Sequence, residues 1–456
     1  MKFGDKLTMM ALHVILGAIS ITSPYISTVW FYFFFLYSVF RITSTNNEDD
    51  FASYAVCYLM CLEIVMRMND SSLVLYETGK YSCCTLMVIA MSVERRKNPT
   101  PQFAIIYIIC LVPSFFVGKY GGIADIIQRC SFNLSGPISL AIACIYFYKR
   151  KVNKQQFENM VYYCILPLLA ACIIVVLKLP SIKSIQFTTD SNKQLSGGFG
   201  PNQASSIFGF GFSILIVAWL IRAKITNSHI VDLLVAMIFL GFALLTFSRG
   251  GVVSALSSVL AAMFIIIRTR QNVKSVMQIS YLLLILAIFG SLTWAFLDNF
   301  SGGFLSQRYE KAVNIESEHA EKETFINTTG RTEIANLDLE IFSRNPVFGI
   351  GPGKSIDVHG DELGEKFATH TELTRLLAEH GLFGLVCILV LLFAPIIVFK
   401  NQTPEGKTIM TAMVVLTVSS MLHVAMRLAI CGIVYGIGFA NYDFKNNNPL
   451  IRSSDT

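Results

Sequence analysis

The feature that most constrains this chain is a succession of apolar runs, each near the ~20 residues that carry a helix across a bilayer. They fall at 7–22, 25–41, 51–67, 77–93, 102–117, 132–148, 158–178, 204–221, 229–247, 250–267, 277–297, 375–399, 408–424 and 426–442. In hydrocarbon each backbone N–H and C=O must bond within its own segment, so such runs read as helices. Composition agrees, because 54% of the 456 residues are hydrophobic and only 14% are charged, too few to solvate a water-facing globule. The expected fold class is all-α, a polytopic transmembrane helical bundle of about 12–14 helices. The run at 77–93 is the odd one, since it includes Glu77 and Lys80. The first run lacks a small-residue cleavage site and reads as a retained helix. Most Cys lie inside the runs as small hydrophobes, with no paired CxxC spacing, so no metal site is expected.

Lys and Arg set the orientation. Clusters occur at Arg95-Arg96-Lys97, at Lys149-Arg150-Lys151 with Lys154, at Arg222 and Lys224, at Arg268, Arg270 and Lys274, and at Lys400 and Lys407. With the runs above, all fall on one side, which is assigned to the cytoplasm together with both termini. Two polar segments lie opposite. One, about 179–203, ends in Ser196-Gly197-Gly198-Phe199-Gly200-Pro201-Asn202-Gln203. The other, about 298–371, is a long loop mixing acids, bases and three His. Loops of that length are uncommon unless functional. Ile334, Leu337 and Ile341 recur at helical spacing before Asn345-Pro346, which predicts a short amphipathic helix on the membrane surface or capping the bundle. The organisation expected is 1–297 as the first part of the bundle and 298–371 as the extracytoplasmic loop with short amphipathic helices. Residues 372–442 complete the bundle, and 443–456 form a cytoplasmic tail.

Several motifs face that opposite side. In Ser248-Arg249-Gly250-Gly251, Arg249 would sit at headgroup depth, where a guanidinium can grip a phosphate with two hydrogen bonds, and the glycines would let a bulky ligand approach. The alternative is an Arg snorkelling beside a tight helical hairpin. Gly330-Arg331-Thr332-Glu333 opens the predicted amphipathic helix, whose free N–H groups favour an anion, though it also reads as a simple helix start. Gly349-Ile350-Gly351-Pro352-Gly353-Lys354-Ser355 resembles a phosphate loop only at its end, because Phe348 stands where the first glycine is required; it reads as a turn. His370, in Ala368-Thr369-His370-Thr371-Glu372, lies where loop meets bilayer, and a His there can accept a proton from a hydroxyl. Glu379 and His380 follow further into the helix, as an orienting group or as ordinary structural partners. Arg129, His423 and Arg427 are secondary candidates for anion or sugar contacts.

Taken in order, these residues resemble the O-antigen polymerase/ligase superfamily of bacterial inner membranes. The resemblance is carried by Ser248 to Gly251, by Gly330-Arg331 leading to Asn345-Pro346-Val347-Phe348-Gly349-Ile350-Gly351, and by His370 leading to Glu379-His380-Gly381-Leu382-Phe383-Gly384. The Gly-Phe-Gly-Pro-Asn-Gln stretch at 198–203 resembles an earlier family element. Thr371 departs from the Asn often found after the family's His. The resemblance implies a glycosyltransferase whose donor is a glycan on undecaprenyl pyrophosphate and which needs no metal or other cofactor. His370 would be the base, and Arg249 and Arg331 would engage the pyrophosphate. It implies as partners a glycan or lipid A–core acceptor, membrane lipids and a chain-length regulator, and no nucleic acid. A polymerase joining repeat units is slightly favoured, with a ligase to lipid A–core or protein as the alternative. A lipid-linked glycan flippase is the rival from another class, although no internal repeat is visible.

Overall fold

The computed structural model describes residues 2–70, 76–95, 98–179, 193–307, 309–310, 331–363, 369 and 371–444. Every apolar run coincides with a helix. In order these are α1 (Phe3–Ser20), α2 (Pro24–Ser44), α3 (Phe51–Met68), α4 (Thr78–Val93), α5 (Gln102–Leu111, followed by a 3-10 turn at Pro113–Phe116), α6 (Ile123–Phe147), α7 (Lys154–Lys178) and α8 (Pro201–Leu220). They continue as α9 (His229–Leu245), α10 (Arg249–Arg270), α11 (Val273–Phe300), α14 (Glu372–Phe399), α15 (Pro404–Met421) and α16 (Ala429–Ile437), with α12 (Arg331–Arg344) and α13 (Ser355–Leu363) between α11 and α14. Among the described residues nine helices are long and apolar enough to cross a membrane. The chain is a polytopic helical bundle and a multi-pass membrane protein.

Burial is graded across the bundle as lipid contact requires. Helices α3 and α8 are enclosed on nearly all sides, while α11 and α2 turn apolar side chains such as Met277, Leu284, Phe296, Phe33 and Phe40 outward. Large apolar groups left outside are unfavourable in water and at home in acyl chains. Spans from both halves of the sequence share one core, from Met10 to Tyr442.

Contacts between helix ends assign the two faces. Arg150 donates to Asp50 before α3 and Glu94 after α4, each at 2.8 Å. Lys6 donates to the Ile225 carbonyl after α8, and Arg270 pairs with Glu405 at 3.1 Å. The chain at Lys151–Val152 forms a two-residue parallel ladder with Asn441–Tyr442. The basic clusters within the described residues therefore gather at one end, and the motifs at the other.

The predicted amphipathic helix is α12, and it caps the bundle by packing on α14. Ile334, Leu337 and Ile341 are buried, worth roughly 1.5–3 kcal/mol apiece. Helix α14 is broken at Gly381, whose φ is 59° and ψ −137°. The glycine turn after α12 heals the break. Ile350 and Gly351 donate their N–H groups to the carbonyls of Ala378 and Glu379 at 3.1 and 3.0 Å, and Leu382 donates to the Pro346 carbonyl at 2.7 Å. A Cβ on Gly381 would stand 2.6 Å from the Pro346 oxygen, and one on Gly349 2.4 Å from the Glu379 carbonyl carbon. The Gly349-Ile350-Gly351 and Glu379-His380-Gly381 motifs are thus one structure. Gly381→Ala is expected to lose at least about 1–3 kcal/mol from backbone strain alone. Thermal unfolding of the detergent-solubilised protein checks this, and a parental melting temperature would rule out the geometry.

Candidate active site

At the motif-bearing end a small, half-open pocket lies between α6, α13, α14 and the α15–α16 turn. Asn133, Ser355, Thr369, Glu372, Arg375 and Arg427 supply its polar wall. Arg375, itself buried, is the centre of that wall. Its guanidinium donates to both oxygens of Glu372, to Glu379 Oε2 at 2.9 Å and to Asn133 Oδ1 at 3.4 Å. Ser355 Oγ donates to the other Glu379 oxygen at 2.8 Å. Buried charges are tolerated when each finds such partners.

The α15–α16 turn lines the cavity through Ala425, Met426 and Arg427 and is held from two sides. Glu372 accepts the Met426 N–H at 3.2 Å, and Glu63 on α3 accepts the Ala429 N–H at 2.8 Å, capping α16. Arg427 donates to the Thr369 carbonyl at 2.8 Å. Glu63 also binds Arg67, whose guanidinium lies 3.5 Å from the Tyr76 ring centroid. Lys80 is buried with its ammonium 3.5 Å from the Met426 carbonyl. Lys80, anomalous in an apolar run, thus lies where α4 meets this turn.

A second convergence adjoins the first. Ser248 Oγ donates to Asn202 Oδ1 at 2.8 Å, and Ser205 Oγ donates to the Ser248 carbonyl at 3.0 Å, joining the 198–203 element to the Ser-Arg-Gly-Gly turn. His423 Nε2 lies 3.0 Å from Ser206 Oγ. The glycines here have a use other than admitting a ligand. A Cβ on Gly250 would meet the His423 ring at 2.4 Å, and one on Gly251 would meet Ser205 at 2.4 Å, so both are filled by the protein itself. Arg249 opens α10 partly exposed, and among the described residues its guanidinium makes no ion pair.

The remaining candidates sort by position. Arg331 is the first residue of α12, while its side chain and the whole of His370 lie outside the described residues. Both chain neighbours of His370 are described, and Thr369 lines the cavity. Glu379 holds Arg375 in the wall. His380 is buried with Nδ1 2.5 Å from Ser114 Oγ and does not line the cavity. Arg129 binds the Gly353 carbonyl at 2.8 Å and Asp357 at 3.0 Å, fixing the turn before α13. Burial acts to raise the Asp357 carboxyl, but hydrogen bonds from Lys354 and Arg129 outweigh it and hold it below the usual carboxylate value. Arg375 and Glu372 escaped sequence reasoning because they read as ordinary first-turn residues of a membrane helix; their signal was two charges facing into an apolar run.

Residues 233–389, from α9 to the middle of α14, match the family model described as O-antigen ligase. Over that stretch the chain is similar to the O-antigen ligase family, in keeping with the resemblance read from the sequence. No curated protein matches the chain. The match includes Arg249, Arg331, His370 and the broken α14, and leaves outside it Asn133, Lys80 and the 423–427 turn, which the fold nevertheless brings to the same end. That similarity supports a polymerase- or ligase-type glycosyl transfer.

Proposed function

We propose that this protein transfers glycan from undecaprenyl pyrophosphate to a sugar hydroxyl at the extracytoplasmic face of the bacterial inner membrane, with both termini in the cytoplasm. The observation that supports this best is the mixed-charge cavity at the membrane-loop boundary, where the chain flanking His370 meets Arg375 and Arg427. In this reading His370 takes the acceptor hydroxyl's proton as the oxygen attacks the anomeric carbon. The bond from that carbon to the pyrophosphate oxygen breaks in the same displacement, with inversion. Arg249 and Arg331 stabilise the charge that develops on the leaving pyrophosphate. Arg249 suits that role, being a partly exposed cation at a helix N-terminus and carrying no ion pair among the described residues. Asn133, Ser355 and Glu372 offer the donors and acceptors that sugar hydroxyls require.

Joining of lipid-linked repeat units is the favoured acceptor reaction, since nothing in the chain is specific to a lipid A–core or protein acceptor. The description of the matched family as a ligase favours the second reading, transfer of finished glycan to lipid A–core. Purified protein in lipid nanodiscs, given a lipid-linked oligosaccharide donor, tests both. Longer lipid-linked chains are expected; transfer only when lipid A–core is added would select the ligase, and no transfer to either would sink the enzyme reading.

A further inference from the structure

Helix α12 packs on α14 through Ile334, Leu337 and Ile341, a stripe at helical spacing. Asp338 lies in the same stripe and is completely buried. An apolar residue there would satisfy the packing, and a carboxylate in such a place is costly unless its oxygens are bonded. They are. His359 Nε2 on α13, also completely buried, lies 3.0 Å from Oδ1, so that nitrogen carries the hydrogen. Thr369 Oγ1 donates to the same oxygen at 3.4 Å, and Thr374 Oγ1 donates to Oδ2 at 2.8 Å. Because the Thr374 hydrogen is directed at the carboxylate, the close contact between the Thr371 and Thr374 hydroxyls has Thr371 as donor. The chain neighbours on both sides of residue 370 are therefore tied to one carboxylate, Thr369 directly and Thr371 through Thr374.

We propose that Asp338, seated by His359, is a positioning residue that holds Thr369 and the 371–374 stretch against the cavity. This rests on the reading of His370 as the base. Misplacing a proton acceptor by about an ångström can slow a reaction by up to about 100-fold without altering how tightly the donor binds. Asp338→Asn puts an NH2 group among hydrogen donors and should loosen the stretch. Thr374→Val should cut the tether to Thr371, whereas Thr374→Ser keeps the hydroxyl.

The experiment measures kcat and donor KM in the nanodisc transfer assay, with melting temperatures for each variant. Asp338→Asn and Thr374→Val are expected to lower kcat about 10- to 100-fold, leave donor KM within about twofold, and recover in Thr374→Ser. Unchanged kcat in Asp338→Asn and Thr374→Val would overturn the proposal. So would a fall in kcat that tracks a fall in melting temperature and is not relieved by Thr374→Ser. His370→Ala separates the two readings. Retained transfer there overturns the base assignment and this proposal with it, whereas lost transfer there alongside parental kcat in Asp338→Asn overturns this proposal alone.

Discussion

His370→Ala should lower glycan transfer by about 10²–10⁴-fold, the usual contribution of a positioned general base. The protein should remain in the membrane, because position 370 lies outside the sequence ranges of the nine candidate spans found among the described residues. The expectation rests on what surrounds position 370. Thr369 lines the mixed-charge cavity and offers its carbonyl to Arg427. Glu372, two residues on, also lines the cavity and binds Arg375. The described chain on either side of position 370 thus meets Arg375 and Arg427, cations able to hold an anionic leaving group. Transfer by the purified variant, scored against membrane-inserted protein, is the measurement. Activity equal to the parent's would remove the base from the mechanism.

Arg375→Met should be the most damaging change to stability among the polar residues of the cavity. The parent guanidinium satisfies Glu372 and Glu379, both buried, and reaches Asn133. Removing one member of a buried ion network leaves the others charged and unpaired, at about 3–5 kcal/mol. Because Glu372 also holds the Met426 N–H, the damage should spread to the α15–α16 turn and the seat of Arg427. Melting of the solubilised protein should fall sharply, and Arg375→Lys, with one ammonium for three acceptors, should fall between. A variant melting like the parent would mean that Glu372 and Glu379 do not depend on Arg375.

Much of this architecture was legible along the chain because its signals are local. A run of apolar residues specifies a helix in lipid regardless of its neighbours, and basic clusters mark a face by their spacing alone. The amphipathic α12 and its stop at Asn345-Pro346 were legible for the same reason. The role of the buried charge in α4 was not, since Lys80 makes sense only beside Glu63 and the Met426 turn from the far end of the sequence.

The site divides in the same way. Sequence alone singled out Arg249, Arg331 and His370 as the candidates proposed to carry the chemistry, and assigned them to one face by charge spacing. Tertiary structure alone decided that Gly250 admits His423 rather than a ligand, that the glycine turn after α12 repairs the break in α14, and that Asp338 reaches both neighbours of His370. Each of these depends on a close approach between distant segments, set by the absence of a side chain or the burial of one carboxylate. One-dimensional periodicity names the residues on a face; only packing decides which of them touch.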